Sequence, residues 1–374
     1  MKVLQIAIGY LDSTVYKTLI EHLIINKCHS HVFIPVQSRE AKSSGKEVHI
    51  INGINLPIRG FYFIKKYFLI KKIIKDIEEN HLSFDMIHAH MVFHDGFIAY
   101  YLSRRYDIPY VLSVRNTDVQ LFIKRAFLRP VMRKILNHSA KIIFINPSYK
   151  NIILQKYIQN KNRASIEKKS IVLPNGIMDF WFQNRYLDKA NAIGNQITII
   201  TVADIDYNKN QISVIKSIEE LISRGHNIKY QLVGKIVDKH AYKQIINYPF
   251  VEYHSPVPKE ELLSYYRKAD IFIMTSFYET FGLVYIEALL QGLPIIYSQG
   301  HGIDGFFAQG VVGYSVDSRN YLEIIERIID IINNYTVISN NIKNIDLSLD
   351  FSWNEIAKKM VSCYKETLDE KYYK

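Results

Sequence analysis

Residues 271–288 read IFIMTSFYETFGLVYIEA and change secondary structure within one short stretch. The apolar run IFIM is typical of a buried strand. A Glu-Thr-Phe-Gly turn then ends at Gly282, and the residues after it continue as a helix. Strand, turn and helix in this order form the repeating unit of a parallel α/β sheet.

Short apolar runs alternate with segments of helical period along the chain. In the first half the predicted strands are residues 3–8, 32–35, 86–89, 110–114 and 141–145, with helical segments such as 13–25 and 97–106 between them. In the second half the predicted strands are residues 197–202, 229–233, 251–253, 271–274 and 294–297. This alternation predicts parallel sheets that helices cover on both faces.

An irregular polar stretch at residues 176–195 separates the two series of strands. The two series of strands, with this boundary between them, predict an α/β protein with two doubly wound, Rossmann-like domains, residues 1–176 and 177–352. Ligands of such sheets bind beyond the carboxyl ends of the strands, so two facing sheets would enclose a cleft. Residues 353–374 include apolar side chains at helical spacing, which predicts a C-terminal helix that packs back on the first domain.

The composition excludes several classes of protein. The chain has 374 residues, of which 48% are hydrophobic and 22% charged. This is the composition of a well-packed globular protein and excludes a disordered or fibrous one. Cys28 and Cys363 are far apart and match no zinc-ligand spacing, which favours a reducing compartment. The first residues show no signal-peptide pattern, and no run approaches the roughly 18 apolar residues of a spanning helix. We therefore expect a cytoplasmic protein that is soluble or lies on a membrane surface.

Two carboxylates in the opening stretch are candidates for binding a nucleotide-sugar. The first turn of the helix after Gly282 offers unpaired N–H groups, which favour phosphate. Glu279 precedes this helix, where it can reach a sugar hydroxyl. Glu287 lies about two helical turns further on, and its carboxylate can accept hydrogen bonds from two ribose hydroxyls. The alternative is that Glu279 belongs only to the helix cap and that Glu287 is a solvated side chain.

The same stretch closely resembles the Glu-x7-Glu signature of retaining glycosyltransferases with the GT-B fold, in particular glycosyltransferase family 4. Other landmarks of that family follow in the same order over nearly the whole chain. They are DMIHAH (85–90), PYVLSVRNTD (109–118), LPNGI (173–177), Lys209, LVG (232–234), ADI (269–271) and GLP (292–294). The resemblance implies a nucleotide-sugar donor site on the second domain and an acceptor site on the first.

The resemblance also implies a role for each residue of the donor site. These are Glu279 at the donor sugar, the backbone N–H groups of Phe281, Gly282 and Leu283 at sugar and phosphate, Glu287 at the ribose, and Lys209 at the diphosphate. A lysine is physically sensible there, because an ammonium group stabilises the charge that grows on a leaving diphosphate. The alternative for Lys209 is a solvated loop residue.

Two positions depart from the family pattern. Asp204 stands where the family usually has a phosphate-binding arginine. Lys235, just after the strand that ends at Gly234, is a candidate for the missing charge, and we include both Gly234 and Lys235 in the predicted donor site. Gly9 is a single glycine in a first loop that often has two. Although Asp204 begins an Asp-x-Asp pair, basic residues and a helix N-terminus already stand in for a metal, so we expect no divalent ion.

Polar residues after the strands of the first domain are candidates for the acceptor site. Those named here are Gly9, His90, Asn116 and Asp118 for acceptor binding, with Arg115 as a catalytic candidate. The resemblance places Arg115 near the reacting centre. His90 ends a predicted strand, and a hydrogen-bonded structural histidine is the alternative for it.

The net charge of +11 is unevenly distributed. Residues 1–180 hold 27 Lys and Arg against 13 Asp and Glu (+14), and residues 181–374 hold 20 against 23 (−3). Residues 63–75 and 122–136 form basic amphipathic segments, and such helices can lie on an anionic bilayer. The first contains Lys65, Lys66, Lys71, Lys72 and Lys75. Ordinary solvated helix faces are the alternative, and nucleic acid is not expected because no recognised nucleic-acid module occurs.

We therefore expect a retaining hexosyltransferase that moves a sugar from a UDP- or GDP-sugar to a hydroxyl group of a glycan or lipid-linked acceptor, without a cofactor. Synthesis of a surface polysaccharide or glycolipid at the inner face of the cytoplasmic membrane fits the basic first domain. Two alternatives remain open. One is a hydrolysing sugar-nucleotide epimerase of the same architecture, and the other is a non-catalytic partner in a membrane-bound glycan assembly complex.

Overall fold

The computed structural model describes residues 1–36, 48–52, 62–189 and 192–372, which form two compact α/β units. The first unit contains Met1–Ile145, Tyr149–Gly176 and Trp353–Lys374, and the second contains Asn146–Ser148 and Ile177–Ser352. The expected fold class, two doubly wound α/β units with parallel sheets, is confirmed. The predicted joint at residues 176–195 includes residues 190 and 191, which lie outside the described part of the chain.

The first unit is built on a seven-stranded parallel sheet. Its strands are β1 (Lys2–Ile6), β2 (His29–Val36), β3 (Val48–Asn52), β4 (Met86–Ala89), β5 (Tyr110–Val114), β6 (Lys141–Phe144) and β7 (Ser170–Val172). The α-helices described up to residue 176 are α1 (Thr14–Ile25), α2 (Tyr62–Glu79), α3 (Phe97–Tyr106), α4 (Arg129–His138), α5 (Pro147–Ile152) and α6 (Asn160–Lys168). The strand order β3-β2-β1-β4-β5-β6-β7 reverses between β1 and β4, which makes this the point where ligands bind in such sheets.

The second unit has a six-stranded parallel sheet of the same kind. Its strands are β8 (Ile197–Val202), β9 (Ile228–Val233), β10 (Val251–His254), β11 (Ile271–Met274), β12 (Ile295–Ser298) and β13 (Gly313–Val316). Its helices are α7 (Asp179–Gln183), α8 (Gln211–Ser223), α9 (Lys239–Ile245), α10 (Lys259–Lys268), α11 (Leu283–Leu290), α12 (Tyr321–Asn333), α13 (Tyr335–Asn344) and α14 (Ser348–Phe351). The order β10-β9-β8-β11-β12-β13 reverses between β8 and β11.

One predicted helix is wrong. Residues 122–136 do not form a continuous helix, because the regular helix α4 begins only at Arg129. Pro130 lies in its first turn. Proline is tolerated there because it needs no N–H partner, but its ring would clash with a preceding helical turn. The residues before it form a separate turn at Ala126–Leu128 instead.

The chain returns to the first unit at its end. Helix α15 (Trp353–Tyr372) packs against α1, and a cluster of buried side chains joins the two helices to the sheet. That cluster includes Leu19, Leu23, Trp353, Met360 and Tyr364. Among the described helices, none combines the length and the apolar character that crossing a bilayer requires.

A buried histidine links α15 to the centre of the first sheet. The Nδ1 atom of His88 in β4 lies 2.6 Å from the hydroxyl of Tyr364, and its Nε2 atom lies 2.8 Å from the hydroxyl of Ser113 in β5. Burial lowers the pKa of His88 to about 3, so the ring is neutral. His88 is thus a structural residue with both ring nitrogens hydrogen-bonded.

We expect Tyr364→Phe to lower the free energy of unfolding by about 1–2 kcal/mol, because Nδ1 of His88 then stays buried without its partner. The matched control is Tyr321→Phe, whose ring is 42% exposed and which should change stability by less than about 0.5 kcal/mol. Chemical denaturation of both variants measures the difference. Equal stabilities would show that the His88 contact contributes nothing.

Candidate functional site

The loops that follow β8 and β11 lie side by side, because these two strands are neighbours where the strand order reverses. Asn208 joins the loops. Its carbonyl accepts the N–H of Phe277 (2.8 Å), and its side-chain amide donates to the carbonyl of Tyr278 and accepts the N–H of Tyr278 (both 3.0 Å). These bonds fix the register of one loop against the other.

Lys209 and Glu279 form an ion pair across the two loops. Lys209 Nζ lies 2.8 Å from Glu279 Oε2, and the side chains are only 21% and 13% exposed. Asp206 accepts the backbone N–H of Lys209 (2.8 Å), and Oε1 of Glu279 accepts the N–H of Thr280 (3.0 Å). One ammonium group and one carboxylate are therefore held together at the carboxyl edge of the second sheet.

Asn210 fixes the end of the β8 loop and was not predicted as a site residue. Its backbone adopts the left-handed conformation (φ 58°), which asparagine tolerates better than most residues. Its buried side chain donates to the carbonyls of Thr275 (3.1 Å) and Ser318 (2.6 Å). Only the requirement for positive φ, which is invisible in a single sequence, distinguishes this asparagine from an ordinary loop residue.

The N-terminus of α11 opens directly beyond Glu279. Gly282 has φ +75°, and a Cβ atom there would lie 2.5 Å from the ring of Tyr285, so glycine is required. Within the described residues no side chain caps this end of the helix, and in its first turn the N–H of Tyr285 donates to the carbonyl of Gly282 (3.0 Å), while the N–H groups before it precede the first helical hydrogen bond. The side chain of Phe281 is buried against Phe306 and Phe351, so Phe281 offers the site only its backbone. Leu283 is the first residue of the helix.

Glu287 lies on α11 and is largely buried. Its Oε2 atom accepts a hydrogen bond from the hydroxyl of Tyr266 on α10 (3.1 Å), whose ring packs edge-on against Trp181. Burial raises the pKa of the Glu287 carboxyl to about 7, although the bond from Tyr266 partly opposes this shift. Glu287 is therefore a partly desolvated carboxylate that is hydrogen-bonded to Tyr266, not the solvated helix residue of the alternative interpretation.

Gly234 lies where the ends of β8 and β9 meet. A Cβ atom at this position would overlap the carbonyl oxygen of Ala203, so only glycine fits. The N–H of Ile205 donates to the carbonyl of Lys235 (2.8 Å), which continues the pairing beyond the strands. Asp204 and Lys235 are both exposed on these neighbouring strand ends. That Lys235 replaces the usual arginine stays a prediction.

Arg115 lies at the carboxyl edge of the first sheet and is half-buried. Its Nε atom donates to the carbonyl of His90 (3.3 Å), and its Nη1 atom donates to the side chain of Asn175 (3.0 Å). The guanidinium group also lies over the ring of Tyr16, 4.7 Å from the centroid. A Cβ atom on Gly9 would come within 2.8 Å of that same ring, so Gly9 leaves room for Tyr16 under Arg115.

The other acceptor candidates are bonded within the first unit. His90 is fully buried, its Nε2 atom lies 2.8 Å from the side-chain oxygen of Gln5, and burial holds its pKa well below the usual value. Asp118 is also buried, and its carboxylate accepts the N–H groups of Val92, Phe93 and Arg115 at 3.0–3.3 Å. Asn116 accepts the hydroxyl of Tyr149 (2.7 Å). Direct contact of His90, Asn116 and Asp118 with an acceptor stays a prediction.

Lys66 and Asp95 are two buried charged residues near the carboxyl edge of the first sheet, and the sequence did not predict their burial. Lys66 is only 5% exposed, and its ammonium group donates to the carbonyl of His94 (2.8 Å). Asp95 is fully buried and accepts the N–H of Ile8 (3.3 Å). Burial lowers the pKa of Lys66 and raises that of Asp95. The expectation that Lys66 belongs to the basic surface is therefore wrong, because this lysine points inward and joins α2 to the loop after β4.

The polar candidates do not form a metal site. In the part of the chain that the structure describes, no three His, Cys, Asp or Glu side chains are grouped so that they could hold a metal ion. The described candidates therefore comprise two sets of polar residues, one at the carboxyl edge of each sheet. The set in the second unit contains the ion pair and the open helix end, and the set in the first unit contains Arg115.

Two family models match the two halves of the chain. The model for Glycosyltransferase Family 4 matches residues 13–178, and the model for Glycosyl transferases group 1 matches residues 183–345. Alpha-monoglucosyldiacylglycerol synthase of Acholeplasma laidlawii is 23% identical over 91% of this chain and 89% of its own length. The capsular polysaccharide biosynthesis glycosyltransferase CapM of Staphylococcus aureus is 26% identical over 73% of this chain and 74% of its own.

Solved structures share the fold over almost the whole chain. Sucrose-phosphate synthase from Thermosynechococcus elongatus has a TM-score of 0.72 at 16% identity and covers 99% of this chain and 100% of its own. HepE from Anabaena, solved in complex with UDP and glucose, has a TM-score of 0.66 at 16% identity and covers 98% of this chain and 100% of its own. At this level of identity the likeness concerns the fold alone.

We expect Glu287→Gln to stabilise the protein in a pH-dependent manner. Because the pKa of Glu287 rises from 4.5 to about 7 on folding, the folded state binds the proton more tightly, and ionisation costs stability as the pH rises from about 4.5 to 7. The variant has no such cost. Its advantage should be near zero at pH 4.5, grow to at most about 3 kcal/mol at pH 7 and stay constant above it.

Denaturant titrations of both proteins between pH 5 and 8 measure this difference, and groups common to the two proteins cancel. A difference that does not change with pH would show that Glu287 keeps an ordinary pKa in the folded state.

Proposed function

Given that this chain belongs to the family 4 and group 1 glycosyltransferases, we propose that it transfers a sugar from a nucleoside diphosphate sugar to an acceptor hydroxyl with retention at the anomeric carbon. The second unit binds the donor, and the first unit binds the acceptor. The family identity makes it a hexosyltransferase-type enzyme. The retaining outcome, the donor and the acceptor are the proposed parts.

The observation that carries the proposal is the Lys209–Glu279 ion pair beside the open N-terminus of α11. A nucleoside diphosphate sugar has a doubly charged diphosphate next to a neutral ring with several hydroxyl groups. The ammonium group of Lys209 and the N–H groups after Gly282 complement the diphosphate. The carboxylate of Glu279 complements the hydroxyl groups and holds Lys209 in place. The site thus offers a cation for the diphosphate and a carboxylate for the sugar hydroxyl groups of the same substrate.

In the reaction the bond between the anomeric carbon and the diphosphate oxygen breaks, and a bond to the acceptor oxygen forms on the same face of the sugar. Negative charge grows on the diphosphate as the first bond breaks, and Lys209 together with the helix N-terminus stabilises it. The proton of the acceptor hydroxyl passes to the leaving phosphate oxygen. Arg115 at the edge of the first sheet orients the acceptor in this scheme.

The donor is a UDP- or GDP-sugar, and Glu287 binds its ribose. The largely buried carboxylate of Glu287 accepts a hydrogen bond from Tyr266, and a carboxylate has the acceptor capacity to bind ribose hydroxyls as well. HepE, which shares this fold, was solved in complex with UDP and glucose, and this supports a UDP-sugar. Gly234 and Lys235 at the end of β9 complete the proposed diphosphate site.

The acceptor is a glycan or a lipid-linked sugar, and the enzyme works at the inner face of the cytoplasmic membrane. The names of two relatives refer to a diacylglycerol glycolipid and to a capsular polysaccharide, which supports an acceptor of this class. The charge of +14 on residues 1–180 supports an anionic membrane surface as the partner of the first unit.

We expect one of the nucleotides UDP, GDP, ADP and CMP to raise the thermal stability of the wild type. At 100 times its dissociation constant, such a ligand adds about 2.7 kcal/mol to the free energy of unfolding. Glu287→Ala should lose most of this shift, while Glu220→Ala, an exposed glutamate on α8, should keep it. Thermal unfolding in the presence of each nucleotide measures the effect, and no shift with any of them would contradict donor binding.

We expect Lys209→Met and Glu279→Gln each to lower turnover of the donor roughly 100- to 1,000-fold. Lys229→Met and Glu252→Gln are matched controls, because they remove a more exposed ion pair of the same unit and should stay within about twofold of the wild type. Release of UDP from UDP-glucose, with and without vesicles that contain diacylglycerol, is the readout. Full activity of Glu279→Gln would overturn the assignment of this site.

A further inference from the structure

Two buried carboxylates tie together the loops at the carboxyl edge of the first sheet. Asp95 Oδ1 accepts the N–H of Ile8 (3.3 Å), in the loop after β1. Asp118 accepts the N–H groups of Val92 (3.1 Å), in the loop after β4, and of Arg115 (3.0 Å), directly after β5. The strand order reverses between β1 and β4, so these carboxylates shape the edge at which ligands bind in such sheets.

Both carboxylates lie on short π-helical turns, Val92–Gly96 and Asp118–Phe122. Such turns are rare and occur frequently at functional sites. A Cβ atom on Gly96 would come within 2.8 Å of the side chain of Leu112 in β5, so glycine lets the first turn lie close against the sheet. Asp95 precedes this glycine and is fully buried, although an aspartate is rarely buried unless it is paired.

Asp95 needs a nearby positive charge more than Asp118 does. Asp118 accepts the N–H groups of three residues, whereas among the described residues Asp95 accepts one N–H and its Oδ2 atom has no hydrogen-bond partner. Burial raises the pKa of both carboxyl groups, that of Asp118 to about 6 and that of Asp95 to about 8. A buried carboxylate stays ionised only when a cation compensates its charge.

Lys66 of helix α2 places a buried cation beside Asp95. Its side chain is only 5% exposed, and its ammonium group donates to the carbonyl of His94 (2.8 Å), the residue before Asp95. The ammonium group also lies 3.3 Å from Nδ1 of the His94 ring, which burial keeps neutral by lowering its pKa to about 3. Lys66 opposes the raised pKa of Asp95 more strongly than Arg115 does.

Arg115 also acts on the charge of Asp95, yet its guanidinium group is bonded to uncharged partners. Nε donates to the carbonyl of His90 and Nη1 to the side chain of Asn175, and the group lies over the ring of Tyr16. Among the described residues, no carboxylate forms an ion pair with it. Arg115 therefore presents a cation at the edge of the sheet whose charge is not taken up by the carboxylates below it.

We propose that Lys66 is a positioning residue for Arg115. By neutralising Asp95, the lysine removes the attraction that would draw the guanidinium group inward, and the group stays over Tyr16, where it can meet an acceptor. Without Lys66, the buried carboxylate would lack compensation and would attract the guanidinium group instead. The charge arrangement stands on these contacts, whereas its purpose, orientation of an acceptor by Arg115, rests on the proposed function.

Thermal unfolding of a double-variant cycle tests the charge balance. Lys66→Met and Asp95→Asn each leave one buried charge without its partner and should lower the Tm by roughly 5 °C or more. Lys66→Met/Asp95→Asn removes both charges and should lower it less than Lys66→Met alone. Lys71→Met, at an exposed lysine of the same helix, is the control and should leave the Tm unchanged. A double variant that is no more stable than Lys66→Met would overturn the proposal.

The NMR signal of the Arg115 Nε–H group reports the position of the guanidinium group without any substrate, and its loss in Arg115→Lys identifies it. We expect it to shift in Lys66→Met and to return to its wild-type position in the double variant. The Nε–H signal of Arg129, which donates to the carbonyl of Ile123 (3.0 Å) in the same unit, should not move. An Arg115 signal that is unchanged in Lys66→Met, or that stays shifted in the double variant, would overturn the proposal. If Lys66→Met does not fold, a folded double variant with the wild-type signal supports it.

Enzyme kinetics separates this role from a general loss of structure. Transfer from UDP-glucose to diacylglycerol in vesicles should fall about 10- to 100-fold in Lys66→Met, while the KM for UDP-glucose stays within about twofold. The double variant should recover most of the transfer rate. An equal loss in the single and double variants would make Lys66 a purely structural residue and overturn the proposal.

The same measurements distinguish the failure of this inference from the failure of the proposed function. The thermal shift given by a nucleotide should persist in all these variants, because the second unit is unchanged. A wild type that turns over no donor would contradict the proposed function, and the Arg115 signal would still decide the role of Lys66. Turnover by the wild type together with an unmoved Arg115 signal in Lys66→Met would do the reverse.

Discussion

Every described strand in both sheets runs parallel to its neighbours, and helices cover the sheets. Because both faces of such a sheet are buried, polar side chains find partners mainly at the strand ends. All residues of β4, β5, β11 and β12 are buried. The chemistry therefore has to lie in the loops beyond the carboxyl edge, and many side-chain hydrogen bonds are found there. Asn208 and Asn210 tie one loop to another in the second unit, and Asp118 does so in the first.

His88 is an exception to this distribution of polar side chains. It is a polar side chain in the middle of a buried strand, and it is accommodated because Ser113 and Tyr364 satisfy its two ring nitrogens. His90 lies two residues further on, at the strand end, and packs beside it with ring centroids 4.1 Å apart. Arg115 bonds to the carbonyl of His90, so the network reaches from the core to the candidate site.

The sequence predicts well whatever depends on local pattern. Alternating apolar runs predict the sheets, and the stretch around Glu279 predicts a strand, a turn and a helix that the structure contains. Burial of single polar residues was harder to predict. Lys66 is flanked by apolar residues in the sequence, as the exposed Lys71 is, and only the position of the loop after β4 decides which lysine points inward. His90 and Asp118 likewise receive their partners from strands and loops distant in sequence. Pro130 indicates the break before α4, whereas charge and apolar spacing over residues 122–136 indicate a continuous helix.

Most of the second unit, Ile177–Ser352, is inserted within the first, and the two ends of this insertion are adjacent, since the N–H of Ile177 donates to the carbonyl of Phe351 (2.7 Å). This arrangement sets an order for folding on the ribosome. Residues up to 176 emerge first, yet the apolar surface around Leu19 and Leu23 stays uncovered until α15 has been made. At 5–20 residues per second, that delay is roughly 10–40 s. The part of the chain that is synthesised first is thus completed last, and a nascent chain that stops before Trp353 exposes a surface that chaperones recognise.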